Sequence, residues 1–424
     1  MSPTTKPDLP TTTRTSRRQV LAAAGGLAGL AALPASVHAA AEPTVIGVIA
    51  ETSTLLGAGI PRGAAMAVEE INAKGGVLGR PIKLVVYDDH VSSADAVKAF
   101  QRLVNQDKAV AVVGTFVSEI ALALEPWSAR LKIPFITPGA ASNEISEHVH
   151  ADYDRYKYIF HTYFTSYFIA ESVSDSARDV LVDGLHMKSC VIMSEDAAWS
   201  TPYDKALLGF LPKRGLEILD HIRFSPDTTD YSPIFSKIEE KKPNVIICGL
   251  AHVGVVPTVQ WAQQHVPMPL YGVNVQATAP SFWKDTHGAA EGANSQTGAG
   301  PDSAITPFTR PFTEAYMKRF HFQPVYSAYS SYDTLHLMAE AFARAGTTNA
   351  DKMVTALEAT DYVGTMGRFK FFGRNDRFTH AIEYGPDLVP GVMIQWQQDK
   401  LKTIWPLKFA TAKASFPSFV KLPA

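Results

Sequence analysis

From Thr44 onward the chain repeats one pattern: a short β-branched run, a turn, then an amphipathic stretch of helical period. This alternation constrains the fold most, because strands separated by helices of such length pair in parallel through right-handed crossovers. The pattern predicts a first strand from Thr44 to Ala50 and a helix from about Pro61. Ala64, Ala67, Val68 and Ile71 then share one helical face, and Gly75-Gly76 stops the helix. Further cycles are expected as strand Ile82–Tyr87, helix Ala94–Asn105, strand Ala109–Val113, helix Ser118–Leu131 and strand Pro134–Thr137. A loop is expected from Gly139 to Tyr158. After it come a helix within Phe168–His186 and strands Ser189–Met193, Leu219–Phe224, Asn244–Cys248 and Leu270–Val273. A Gly/Ala/Ser/Thr/Pro-rich stretch from Gly288 to Pro307 marks a boundary, followed by helices Tyr329–Ala345 and Asp351–Ala359. The tail predicts strands Arg368–Phe372, Val392–Trp396 and Leu401–Trp405, with a turn at Gln398-Asp399-Lys400. The fold class is therefore α/β, as two doubly wound parallel-sheet lobes.

Residues 1–39 read as an address. Lys6, Arg14, Arg17 and Arg18 precede an uncharged Ala/Gly/Leu run from Val20 to Val37, and Val37-His38-Ala39 offers small residues for cleavage. Ser16-Arg17-Arg18-Gln19-Val20-Leu21 is similar to a twin-arginine export motif, with Val20 where Phe is commoner. The run is short and weakly apolar for a membrane span. The mature protein is expected to begin near Ala40 and to work outside the cytoplasm, in the periplasm or an equivalent compartment.

Catalytic signatures are missing. The 424 residues hold no phosphate-cradling G-x-x-x-x-G-K-[ST] loop, no G-x-S-x-G elbow and no H-E-x-x-H or C-x-x-C pair. A net charge of −2 argues against nucleic acid as a partner. Glu147-His148-x-His150 has metal-ligand types but sits in the expected polar loop, so no metal and no cofactor are assigned. Cys190 and Cys248 lie in expected central strands, as small buried residues or, if the strands bring them close, as a disulfide. No enzyme activity is expected.

In open α/β sheets, ligands gather at the carboxyl ends of strands, beside helix N-termini that suit carboxylates. Ser118 follows one such strand, as a helix cap or as a hydroxyl offered to a ligand. Ala140, Ala141 and Ser142 follow another, where small side chains let a ligand reach backbone N–H groups. The second half offers Trp199, as packing or as a flat lid, then His252 and Asn274.

These residues carry a family resemblance. Gly63-Ala64, Glu70-Ile71-Asn72-Ala73-Lys74-Gly75-Gly76 with Gly79, and Tyr87-Asp88-Asp89 come first. Pro134 to Ala141, Ala290-Glu291-Gly292, Tyr332-Asp333 and Trp405-Pro406 follow in that order. The mature chain resembles the type I periplasmic binding proteins, the solute receptors of ABC importers, in the branched-chain amino acid (leucine-binding protein-like) group. The resemblance implies two lobes, 44–163 plus 297–365 and 164–296 plus 366–424, joined by a three-segment hinge. It also implies a monomer that closes on a small solute and presents it to a membrane permease. Ser118 matches the position whose hydroxyl holds the ligand carboxylate, Ala140 and Ala141 give backbone contacts, and Trp199 matches an aromatic wall. One departure stands out: where amino-acid receptors commonly place an acid for the ammonium group, Asn274 aligns. Glu195, Asp196 or Glu119 could supply that acid from new positions; otherwise the solute is an aromatic or aliphatic carboxylate or amide without an α-amino group. The resemblance makes an amino acid the default solute. An exported cofactor-dependent enzyme and a ligand module serving a membrane sensor are the readings from other classes.

Overall fold

The computed structural model describes residues 42–423; the expected leader at 1–39 lies outside them. Strand β1 (Thr44–Ala50) leads through helix α1 (Gly59–Ala73) to β2 (Ile82–Asp88), and α2 (Ser93–Asn105) leads to β3 (Ala111–Gly114). Then come α3 (Ser118–Leu131) and β4 (Phe135–Thr137). Ile46, Val48 and Ala50 of β1 enter the core that α1 covers, while Ile49 enters the opposite core beside Phe100 and Leu103 of α2. Both faces of a parallel sheet are thus buried, which explains the near-continuous apolar strands.

The expected loop from Gly139 to Tyr158 is largely helical. It contains α4 (Glu144–Ala151) and a short α5 (Tyr153–Tyr156), and is followed by β5 (Ile159–His161). Ile145 and Val149, four residues apart, bury one face of α4 among its charged residues. With β5 the first sheet is fully parallel in the order β2-β1-β3-β4-β5.

The chain then crosses to a second sheet through α6 (Ser166–Ser176), a π-turn at Ala177–Val182 and α7 (Asp183–Leu185). The expected single helix within Phe168–His186 therefore starts earlier and is broken. Strands β6 (Ser189–Glu195), β7 (Glu217–Phe224), β8 (Val245–Leu250) and β9 (Leu270–Asn274) pair in parallel in the order β7-β6-β8-β9. Helices α8 (Ser200–Phe210), α9 (Ser232–Lys241) and α10 (Val255–Gln263) connect them. Cys190 on β6 and Cys248 on β8 are both free. The register sets Cys248 opposite Met193, three residues from Cys190, and the odd offset puts the two thiols in different cores.

Beyond β9 lie α11 (Phe282–Asp285) and β10 (Asn294–Thr297), which falls inside the stretch expected to be a boundary. Side chains tie β10 to β9: Asn294 Oδ1 accepts the Gly272 N–H at 3.1 Å, and Ser295 Oγ accepts the Asn274 N–H at 3.1 Å. The chain returns to the first sheet as α12 (Thr309–Phe320), α13 (Tyr326–Ala345) and α14 (Ala350–Glu358). Helix α13 packs on α1 and the loop before it through small residues: Ser331 Oγ donates to the Ile60 carbonyl at 2.9 Å and Ser327 Oγ to the Leu56 carbonyl, ahead of α1, at 2.6 Å. A ribbon of β11 (Tyr362–Val363) and β12 (Arg368–Phe369) follows; β12 is shorter than the expected strand. Strands β13 (Val392–Gln397) and β14 (Lys400–Trp405) extend β10 as an antiparallel hairpin. Their tight turn holds Gln398 and Asp399 at φ 51° and 61°, the conformation that matches strand twist.

Candidate functional site

The carboxyl ends of the two parallel sheets border one cavity of about 290 Å³, a volume suited to a single small molecule. Residues following β1, β3 and β4 line it on one side, and residues following β6, β8 and β9 on the other. Phe116, Tyr163, Trp199 and Tyr326 give it aromatic walls.

On the first wall, Ser118 opens α3 and is buried. Its Oγ accepts the N–H groups of Ala141 at 3.0 Å and Ser142 at 3.1 Å. Both lone-pair directions are thereby used and its hydroxyl proton is left to donate. No side chain caps α3, and Val117 and Ser118 at its start line the cavity. A hydroxyl proton beside an uncapped helix N-terminus is a site for an anionic oxygen.

The second wall is organised around Glu195, the last residue of β6, whose side chain is 0% exposed. Trp199 Nε1 donates to it at 2.9 Å, the Ala251 N–H at 3.0 Å and the Val253 N–H at 3.3 Å. His252 engages it with both its backbone N–H, at 3.0 Å, and its Nδ1, at 2.7 Å. Burial by itself would raise the Glu195 carboxyl, but the bonds from His252, Trp199 and Ala251 outweigh it and hold the group below its ordinary value. The same bond to Glu195 raises the His252 imidazole, against its burial. Trp199 and His252 both line the cavity, so the buried acid positions two of its wall side chains.

Comparison with known proteins agrees with this architecture. Residues 43–384 match the family model described as periplasmic binding protein. The chain belongs to that family. It is 27% identical over 373 residues to the Leu/Ile/Val-binding protein homolog 7 of Brucella suis, covering 86% of this chain and 90% of the relative. The branched-chain amino acid transporter substrate-binding protein LivJ of Streptococcus pneumoniae, solved with isoleucine, superposes with a TM-score of 0.72 at 22% identity. That match covers 85% of this chain and 98% of LivJ. A solute-binding protein of an ABC transporter from R. palustris, solved with benzoate, gives a TM-score of 0.71 at 17% identity, covering 89% of this chain and 99% of that one. The protein is thus a type I periplasmic binding protein of the branched-chain amino acid group, a solute receptor rather than an enzyme. Family membership sets its work outside the cytoplasm. Among the described residues no helix is long and apolar enough to cross a membrane.

Of the residues singled out from sequence, Ser118, Ala141, Trp199 and His252 meet at the cavity, whereas Ala140, Ser142 and Asn274 are not in its lining. Ala140 is fully buried, with its N–H on the Thr115 carbonyl at 3.1 Å and its own carbonyl bonded by His161 Nε2. Ser142 contributes its N–H to Ser118, and its Oγ accepts the Glu144 N–H at 3.3 Å at the start of α4. Asn274, expected as a ligand contact, lies outside this lining. Its Oδ1 accepts the Ala277 N–H at 3.2 Å, and its Nδ2 donates to Thr258 Oγ1 at 3.2 Å. A buried amide satisfies its polar atoms locally, and here that turns it into the second lobe.

The acids considered as substitutes are also engaged. Asp196 is exposed and pairs with Arg223 at 2.6 Å, and Glu119 accepts the Ala198 N–H at 2.9 Å. Glu147 and His148 lie on α4 rather than in a loop, where Arg377 holds Glu147 and Glu125 meets His148 Nδ1 at 2.7 Å. Sequence reading missed Glu51 and Thr54, although they follow the carboxyl end of β1 and obey the same strand-end rule. It also missed Tyr163, Gln296 and Tyr326. Tyr163 comes shortly after β5, Gln296 lies on β10 and Tyr326 opens α13, and no local pattern marks them.

Proposed function

We propose that this protein is the receptor subunit of an ABC importer and captures a small carboxylate-bearing solute between its lobes. The observation that carries the reading is the Ser118 hydroxyl at the uncapped head of α3, held by the Ala141 and Ser142 amides and facing the cavity. Isoleucine and benzoate, the ligands named for two structural relatives, share little beyond a carboxylate. In this reading the lobes are 44–163 plus 297–365 and 164–296 plus 366–424. Their closure on a three-segment hinge makes the surface that a permease recognises. Residues 1–39 act as a twin-arginine-type leader, and the mature chain works as a monomer.

A thermal-shift screen against amino acids, aromatic carboxylates, aliphatic carboxylates and amides tests the reading, since a solute bound by the native state alone raises the melting temperature. At least one carboxylate should stabilise the protein. Ser118→Ala should weaken its binding about tenfold or more, the worth of a hydrogen bond to a charged group, without loss of fold. No stabilisation by any carboxylate would refute the proposal.

A further inference from the structure

We propose that the cleft selects carboxylate solutes that carry no α-ammonium group, an inference that rests on the reading of the cleft as a carboxylate receptor. An ammonium brings three donors and a full charge into a poorly solvated site, so it requires a carboxylate oxygen with lone pairs to spare. Two buried carboxylates stand close enough to serve, Glu51 in the cavity lining and Glu195 just behind it; Glu119, whose charge also reaches His252, is exposed, lies outside the lining and holds the Ala198 N–H at 2.9 Å.

Both are already occupied. Glu195 Oε1 takes Trp199 Nε1 at 2.9 Å, His252 Nδ1 at 2.7 Å and the His252 N–H at 3.1 Å. Its Oε2 takes the Ala251, His252 and Val253 N–H groups at 3.0, 3.0 and 3.3 Å. Glu51, 3% exposed, accepts the Ser53 N–H at 2.7 Å and the Thr54 N–H at 2.9 Å, together with both hydroxyls of those residues. Glu51 is enclosed by donors from its own loop, and Glu195 by Trp199 from its own loop and by the loop after β8, so an ammonium would have to displace several of them at once.

The second wall presents an imidazole instead. His252 is partly exposed and lines the cavity, and with Nδ1 on Glu195 its Nε2 is the free position. Two acids bear on it, Glu195 on β6 and Glu119 on α3, and both favour its protonated form against burial. An imidazolium N–H attracts a ligand oxygen and repels an ammonium. The aromatic side chains in the lining suit a flat apolar solute body.

The test uses matched pairs that differ only in the amino group. The mature protein is stripped of carried solute by unfolding in guanidinium chloride and refolding. It is then titrated calorimetrically with leucine against 4-methylpentanoate, phenylalanine against 3-phenylpropanoate, and benzoate. The expected result is that benzoate or a deaminated acid binds, with every deaminated acid that binds at least about tenfold tighter than its amino acid. Tighter binding of leucine or phenylalanine than of its deaminated partner would overturn the inference while leaving the carboxylate reading intact. In that case loss of the preference in Glu51→Gln would name the ammonium partner. No binding by any of the five would overturn both.

Discussion

Glu119 Oε1, in the first turn of α3, accepts a hydrogen bond at 2.9 Å from the backbone N–H of Ala198, in the loop after β6 that carries Trp199. The contact joins the helix that starts at Ser118 to the opposite wall of the cavity, so a solute held by α3 and the aromatic wall is enclosed by a bond it does not itself make. Because Glu119 is exposed, such a contact is worth about 1 kcal/mol or less. Glu119→Ala is expected to speed solute release by up to about fivefold, in line with that energy, with little change in association rate. Stopped-flow dissociation of the best carboxylate measures it, and an unchanged release rate would show that the bond adds nothing to closure.

His252 gives the cleft a pH dependence. Its imidazole titrates above the ordinary value because of Glu195, so a carboxylate meets a cationic wall at low pH and a neutral one at high pH. Affinity should therefore hold steady below the raised value and fall as pH climbs through it. In His252→Gln the calorimetric affinity should be lower at acid pH and nearly flat across the same range.

Stability should carry a second pH signal, remote from the cavity. Burial pushes Glu125 up to about 7 despite the hydrogen bond from His148, and its Oε1 has no partner. A carboxyl raised in the folded state takes up a proton on folding. Its contribution therefore becomes unfavourable as pH rises from the ordinary 4.5 towards about 7. The hydrogen bond to Glu125 raises His148, whose stabilisation is full below 6.5 and is lost as pH rises through its folded value. Both effects have the same sign. Glu125→Gln should gain melting temperature relative to the native protein as pH goes from about 5 to about 8, and parallel curves would refute the assignment.

The contact of α1 with α13 depends on Gly63. A Cβ there would lie 2.2 Å from the Ala328 carbonyl oxygen and 2.4 Å from Ser331 Oγ. Backbone cannot yield as a side-chain tip can, so the helices would have to part and loosen the bond from Ser331 to the Ile60 carbonyl. Gly63→Ala should cost about 1–3 kcal/mol in urea unfolding, the usual range for overpacking. A change below a few tenths would mean that the helices can separate freely.

The boundaries between these features and the primary structure are physical. Periodicity alone set the architecture: β1 and α3 fall where their apolar spacing puts them, and the Gln398-Asp399 turn is legible from its polar residues between two apolar runs. The strand-end rule, which follows from helix N-termini carrying unpaired N–H groups, led to Ser118, Trp199 and His252. It would have led to Glu51 as well. Short-range pattern failed where partners lie far along the chain. Two apolar residues among the charges of α4 were too sparse to mark a helix, and β10 is a strand because it pairs with β13, far along the chain. Asn274 looked like a ligand contact because sequence records a polar residue at a strand end but not which groups consume its hydrogen bonds. The same holds for Glu195. Composition and spacing determined that this chain builds two parallel sheets with ligand-facing edges. Only the tertiary structure decided that the acid at one of those edges is spent on Trp199, His252 and three amides, because hydrogen-bond valence is satisfied by neighbours in space and not in sequence.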